Sequence, residues 1–544
     1  MFMGGEMQSV LQAEYERSAG QAPLIHIVDY DDVVLINSAQ AEWFLILKDL
    51  PWERYRTHGA NYYDALYEFN CSQAIGRQEG LEVQYAGEQE SKEQARQRVL
   101  WDRATMRGEQ GIESSIVYQR PEPSCESSHT DPQSIAPGVV PIRFGGRTPK
   151  CFFSMFKSFL GATLMGFPAE PESVHMLLTS NPSFVRVCGF TPVMIEDSYS
   201  PRHVPSLRKL QQFDQIMTGW GIWGQMKLEE VRSNLASGAI RKENELVGDT
   251  THYYAYSSFE TVTYLDEKGK ERTKSQSRLT KSCRCEDWTN CRHPWQQRDE
   301  GAGTIVKSNK KMYWGHKASI LGYPRQGVPL DAVAVCDAAT FDGKTLYPHV
   351  VRVFEELPEI KDDVERVLYD SACDDEKLKA QFRDEFDIEL KASLNPRRRK
   401  VITENLPRGM EKITPYGIVI CIAGQEMDYK GMRIENEKFI YGPPLNLYGL
   451  PLCPTCEHKA DCCPKANGGR IINISFDLLP HIDTDDPPMA KRFKAIMTRR
   501  PSVERMIKRL KMDLGDDRLS KRGNAAFQAY LDKTMIAFHI LLRR

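Results

Sequence analysis

The sequence predicts a mixed α/β protein with a helical domain ahead of it, and three observations carry that prediction. Between about 151 and 240, apolar residues recur at spacings of three and four, the period of helices that share a core. Near Asn244 the pattern turns to aromatic and β-branched runs, and strand candidates then alternate with helical stretches. An irregular, β-rich segment containing a cysteine cluster follows, before a basic helical end.

In order, residues 1–110 form an acidic N-terminal region with 18 acidic and 10 basic residues. AEWFLILKDL and NYYDALYEFN read as helices around a small core, and the acidity disfavours DNA contact there. Residues 111–150, with RPEPSCESSHTDPQSIAPG, read as a linker. Residues 151–240 read as a helical bundle broken at Pro171, Pro192 and Pro205. In 241–394, ELVGDTTHYYAYSSFETVTYL has hairpin composition. GTIVKSNKKMYWGHKASIL, PLDAVAVCDA, ERVLYDSA and FDIELKA supply further strands, with helices at TLYPHVVRVFEELPEI and DEKLKAQFRDEF. Residues 395–495 are a β-rich insertion that opens on Arg397, Arg398, Arg399 and Lys400, a basic run weighed as a solvated turn or a phosphate contact. Residues 496–544 are a helix and tail. From Lys491 onward the chain carries 15 basic against 5 acidic residues.

Composition bounds the function. At 544 residues the chain exceeds one core and suggests two to four units, and 41% hydrophobic with 27% charged residues excludes a largely disordered protein. No run approaches the roughly 18 apolar residues of a membrane span. The opening MFMGGEMQSV lacks the features of a secretory signal, so a cytoplasmic protein is expected. The formal net charge of −2 conceals opposite ends.

Seven of the fourteen cysteines fall in two clusters. Cys283, Cys285, Cys291 and His293 make one complete tetrahedral Zn²⁺ set, and Cys453, Cys456, Cys462 and Cys463 make another, with His458 as a spare ligand. A shared site, or an iron–sulfur cluster at the all-cysteine group, remains open. Free loop thiols are the plain alternative.

Three carboxylates stand out by context. Asp249 in LVGDTTH and Asp370 in RVLYDSACDD are read at strand ends, and Glu504 in RRPSVERMIKRLK opens a basic helix. Such carboxylates suit Mg²⁺, which keeps few protein ligands, and two ions can drive phosphodiester chemistry. Turn capping is the competing role. Arg500, Glu504 and Lys511 form R-x3-E-x6-K, a spacing that sets them along one helical face, where two cations would position phosphates; a solvated basic face is the alternative. Trp288, Trp295 and Trp314 are candidates for stacking on an unpaired base, though packing is the common fate; His252 and His316 read as structural.

The order strand-Asp, strand-Asp in YDSA-x-D, and helix-Glu within R-x3-E-x6-K resembles the DDE transposases of bacterial insertion sequences, in the branch with the Tyr-Arg-Glu-Lys signature. WGHKASIL, LTSNPSFVRVCGF with VPSLRKLQQF, and the tail VERMIKRLKMDLGDDRLSKRG extend the resemblance over about 151–544. It implies a ribonuclease H-like catalytic domain in which Asp249, Asp370 and Glu504 hold Mg²⁺ or Mn²⁺. Arg500 and Lys511 would take the signature's basic positions. It also implies double-stranded DNA as partner, a homodimer or higher assembly, and work beside the bacterial nucleoid. Met497 stands where the signature has Tyr, and Glu426 in the insertion is a weaker rival to Glu504. A nuclease that cuts without joining, and a zinc-containing DNA-binding protein with a decayed centre, are the alternatives.

Overall fold

The computed structural model describes residues 38–51, 53–66, 69, 150–190, 193–195, 198–200, 204–267, 269–278, 298–308, 311–395, 400–466 and 468–543. Outside them lie most of the expected linker, the cluster of Cys283, Cys285, Cys291 and His293, the residues Trp288 and Trp295, and Arg397, Arg398 and Arg399. The chain is a mixed α/β protein and divides into two compact units, Met1–Asn234 with Arg509–Arg544, and Leu235–Lys508.

In the first unit, α1 (Ser38–Lys48) and a helical stretch over 56–66 precede α2 (Phe152–Leu164), α3 (Pro171–Ser180) and α4 (Pro182–Val187). The small hairpin of β1 (Val193–Ile195) and β2 (Ser198–Ser200) comes next. It leads to α5 (Leu207–Gly219) and α6 (Ile222–Ser237), and a C-terminal helix, Asn524–Leu541, completes the unit. Pro171 and Pro182 open their helices where a missing N–H costs nothing, and the Asn181 side chain accepts from Phe184 N at 2.9 Å. The core is aromatic: Phe152, Phe156, Phe159, Phe213 and Trp223 are all buried and in mutual ring contact. Buried acids tie the helices together. Asp214 accepts from Trp223 Nε1 and from Lys533 Nζ, both at 3.1 Å, and from Lys521. Glu230 accepts from Tyr55 at 2.6 Å and pairs with Arg54 and Arg543.

The second unit is built on a six-stranded sheet of β3 (Glu245–Tyr254), β6 (Gly303–Ser308), β7 (Lys311–Tyr323), β8 (Val328–Ala334), β9 (Arg366–Tyr369) and β10 (Glu389–Ala392). The spatial order is β10-β9-β3-β7-β6, with β8 also on β7. β3, β7 and β8 are antiparallel neighbours, whereas β3, β9 and β10 run parallel. The parallel strands are reached through α7 (Leu346–Glu356) and α8 (Pro358–Lys361), then α9 (Glu376–Phe386), as parallel pairs require crossovers. The expected hairpin of ELVGDTTHYYAYSSFETVTYL does not form. Its second half, β4 (Phe259–Leu265), pairs with β5 (Glu271–Ser277), while β3 takes the centre of the sheet. The reason is burial: Leu246 and Val247 are fully buried, whereas β4 shows mostly exposed side chains.

The insertion has its own core. β11 (Met410–Ile413) pairs with β12 (Val419–Cys421), and β13 (Asp428–Arg433), β14 (Lys438–Gly442) and β15 (Ile472–Ser475) form a three-stranded sheet. Ile413, Val419, Phe439, Tyr441 and Ile474 pack together at its centre, and Tyr441 donates to Gly417 O at 2.6 Å. The short helix α10 (Lys459–Cys462) ends on Cys462, with Cys463 as the residue after it, and α11 (Lys491–Met497) and α12 (Ser502–Lys508) close the unit. Among the described residues, no helix is long and apolar enough to cross a membrane.

Candidate active site

Asp249 is not at a strand end, as the sequence suggested, but midway along β3. What ends there is its parallel neighbour. The β3–β9 register runs Glu245–Arg366, Leu246–Val367, Val247–Leu368, and continuing it sets Asp249 level with Asp370, the residue after β9. Residues level on adjacent strands share a face and stand about 5 Å apart in backbone position. Two carboxylates from distant sequence therefore meet where the parallel pair runs out.

Each has a local hold. Asp370 caps the next turn, its Oδ1 accepting from Ala372 N at 2.9 Å, so the capping alternative is real for this residue. Asp249 Oδ1 accepts from Thr250 N at 2.7 Å, and its Oδ2 accepts from Arg500 Nη2 at 2.6 Å. Gly248, just before it, admits the Tyr369 ring; a Cβ there would stand 2.9 Å from Tyr369 Cε2. Burial pushes the Asp249 carboxyl up to about 6. Arg500 and the Thr250 N–H pull against that rise, and the Asp370 and Asp342 carboxylates add to it.

Glu504 reaches the group through Arg500, whose Nη1 donates to Glu504 Oε1 at 2.8 Å. One guanidinium thus spans Asp249 and Glu504, and its buried Nε makes no hydrogen bond among the described residues. Helix α12 is seated by Val503 and Met506, both fully buried, and Gly322 on β7 makes the room: a Cβ there would lie 2.9 Å from Met506 Sδ. Just ahead of the helix, Arg499 donates to both oxygens of the buried Glu245 at 2.5 Å, and Arg366 adds a bond at 2.8 Å. Despite burial, these guanidinium bonds hold the Glu245 carboxyl below its ordinary range.

Arg500, Glu504 and Lys511 do not share one helical face. Arg500 lies in the turn before α12, and α12 ends at Lys508. Lys511 is buried in a π-helical turn, Arg509–Asp513, that belongs to the other compact unit. A wider turn breaks the 3.6-residue phase on which the single-face expectation rested.

Asp342, Glu245, Arg499 and Arg366 escaped the sequence reading. Asp342 lies in a short turn whose Gly343 is held against Ala372 O, beside Asp370, and it accepts from Lys317 Nζ at 2.9 Å. Glu426 is exposed at the bend between β12 and β13, inside the insertion. Met497 ends α11, and Lys400 is exposed. His316 is buried against Asp299 at 2.9 Å, His252 stacks on Tyr313, and Trp314 packs on Phe259 and donates to Ser257 Oγ at 3.2 Å. All three are structural in this arrangement. Among the described residues, no three His, Cys, Asp or Glu side chains already stand in coordinating geometry. No protein-family model matches the chain, and no curated protein matches it either.

Proposed function

We propose that this chain is a DDE-type DNA transposase on a ribonuclease H-like sheet. In this reading it hydrolyses phosphodiester bonds at the ends of a mobile element and joins the freed 3′-hydroxyl to target DNA. The observation that carries the reading is the level pairing of Asp249 with Asp370, with Glu504 bound to Asp249 through Arg500. The acids keep the order strand, strand end, helix, on a mixed sheet, as the resemblance implies.

Asp249, Asp370 and Glu504 would hold Mg²⁺ or Mn²⁺, and their all-oxygen donor set fits such hard cations. Bound there, the ions would activate the attacking oxygen and stabilise the leaving one. Positive charge already suits the position, since Arg500 lies between Asp249 and Glu504. Arg500 bonds one oxygen of each carboxylate, so the other oxygens would remain for a metal and the guanidinium would remain beside the site to meet a phosphate. The Thr250 N–H and the Ala372 N–H keep Asp249 and Asp370 oriented throughout. The reading also takes the chain to act on double-stranded DNA in the cytoplasm, as a homodimer or higher synaptic assembly.

The test is cleavage of a DNA carrying both flanks of the gene by the full chain with Mg²⁺, with the breaks mapped. Asp249→Asn, Asp370→Asn and Glu504→Gln each abolish cleavage while DNA binding survives. Near-normal cleavage by any one removes that residue from the triad. Joined product from a supplied pre-cleaved end excludes a nuclease that only cuts. An inert wild-type chain that still binds DNA overturns the enzymatic reading in favour of a binding protein.

A further inference from the structure

Five cysteines, not four, line one small cavity in the insertion. Its lining includes Cys453, Cys456, Cys462 and Cys463, and also Cys421 at the end of β12, more than thirty positions upstream in the sequence. Ile422, Ala423, Met427 and Pro444 add apolar lining, and His458, Lys459 and Arg470 line it as well. All five thiols are free of disulfides.

Two glycines shape this place for sulfur. Gly409, at φ +87°, lies beside β12 through the Ile422 N–H to Gly409 O bond of 3.2 Å. A Cβ on Gly409 would stand 2.6 Å from Cys462 Sγ, so the bare backbone admits that sulfur against the β12 hairpin. Gly469, at φ +102°, does the same for Cys453, whose Sγ would lie 2.8 Å from an added Cβ. The chain between the sulfurs is tightly turned: Cys456 N donates to Cys453 O at 3.2 Å, Cys462 N to His458 O at 3.0 Å and Cys463 N to Lys459 O at 2.9 Å.

We propose that this cavity is a structural Zn²⁺ site in which Cys421 is a ligand alongside cysteines of the 453–463 loop, so that the ion clips that loop to the β11–β12 hairpin. The donor set is soft, as Zn²⁺ prefers in four-cysteine sites. The cavity measures about 20 Å³, against the roughly 10–15 Å³ that one water-sized body needs. That is room for a single ion. The Cys462 thiol lies within hydrogen-bonding reach of Cys463 and within electrostatic reach of Cys453 and Cys421. Four sulfurs close the coordination sphere, so the site has no part in bond breaking and is independent of the carboxylate site.

The experiment uses the full chain purified with and without added Zn²⁺, analysed for zinc, iron and acid-labile sulfide. Because the first cysteine cluster can bind metal too, each variant is compared with wild type for the equivalents it loses. Cys421→Ser loses zinc at this site, with affinity reduced by more than the roughly 10–100-fold that outer-shell changes cause. Cys336→Ser, at an exposed cysteine elsewhere in the unit, loses none. Where Cys421→Ser fails to fold, Cd²⁺ replacement in the wild-type chain supplies the readout. Sulfur-to-metal absorbance then exceeds that of Cys453→Ser, and Cys421 resists thiol reagents until the metal is chelated. Full zinc content and affinity in Cys421→Ser overturn the assignment of Cys421. Iron with sulfide at this site, or a wild-type Cys421 that reacts freely in the metal-loaded chain, overturns the single-ion site.

Discussion

Asp214 shows how much one buried carboxylate organises in the helical unit. It is 2% exposed and receives Lys533, Lys521 and the Trp223 indole N–H. Burial pushes its pKa up, but the two ammonium groups outweigh that and hold it below the ordinary value. A lowered folded pKa gives stability that is full above the unfolded value, near pH 4, and is lost as pH falls through the folded one. Acid unfolding of the wild type should therefore steepen below about pH 4. Asp214→Ala should cost about 3–5 kcal/mol at neutral pH, because it leaves two lysines without their buried partner. Denaturant titrations at neutral and acid pH measure both; equal stabilities of the two chains would show that the network is neutral. None of this was legible locally. Asp214 and Lys533 are more than three hundred positions apart, and a lysine in a basic helix carries no mark of what it will pair with. Asp249, Asp370 and Glu504 stood out as candidates because apolar strands or a basic helix frame them. Glu245 and Asp342 sit in equally ordinary text, and only folding brings their arginine and lysine partners.

At the scale of elements, α12 matters most, because it carries Glu504 and Arg500 precedes it. Its seat has two parts: Val503 and Met506 against the sheet, and the Arg499–Glu245–Arg366 cluster ahead of the first turn. Gly322 is the tight point, since a Cβ would stand 2.3 Å from Val328 O, which is backbone and yields little. Gly322→Ala should destabilise the second unit by about 1–3 kcal/mol through overpacking. In the transposase reading it should lower cleavage more than DNA binding, because it displaces Glu504. Glu245→Gln should act the same way by freeing Arg499. Thermal melts and single-turnover cleavage separate the effects; unchanged cleavage in both would show that α12 tolerates displacement. The strands of the sheet were readable from their composition, but their pairing was not. Text between Glu245 and Leu265 looks like a hairpin, yet burial on both faces drew β3 to the centre and left β4 outside. The single-face expectation for Lys511 failed for a related reason, since the period of an element does not reveal where it changes to a wider turn.

Across the whole chain, charge is sorted in a way its total conceals. The segment from Lys491 to the end carries 15 basic residues, which invited reading it as one face for a polyanion. Folding assigns several of them to internal carboxylates. Arg499 and Arg500 hold Glu245 and Asp249, Lys521 and Lys533 hold Asp214, and Arg543 holds Glu230. Others stay exposed, among them Lys494, Arg505 and Lys508, and the last two share α12 with Glu504. The two groups should behave differently toward DNA. Each exposed residue that meets a phosphate contributes about 0.9 to the slope of log affinity against log salt. Arg505→Gln and Lys508→Gln should each reduce that slope by about this amount and leave thermal stability within a few tenths of a kcal/mol. Lys521→Gln should do the reverse, keeping the slope while the helical unit melts earlier, because its ammonium holds Asp214 and Glu170 and has little left for a phosphate. Binding titrations of the full chain on one DNA duplex at several salt concentrations, beside melts of the same samples, decide it. If both α12 variants keep the wild-type slope, DNA does not approach the helix that carries Glu504, and the candidate active site loses its proposed substrate.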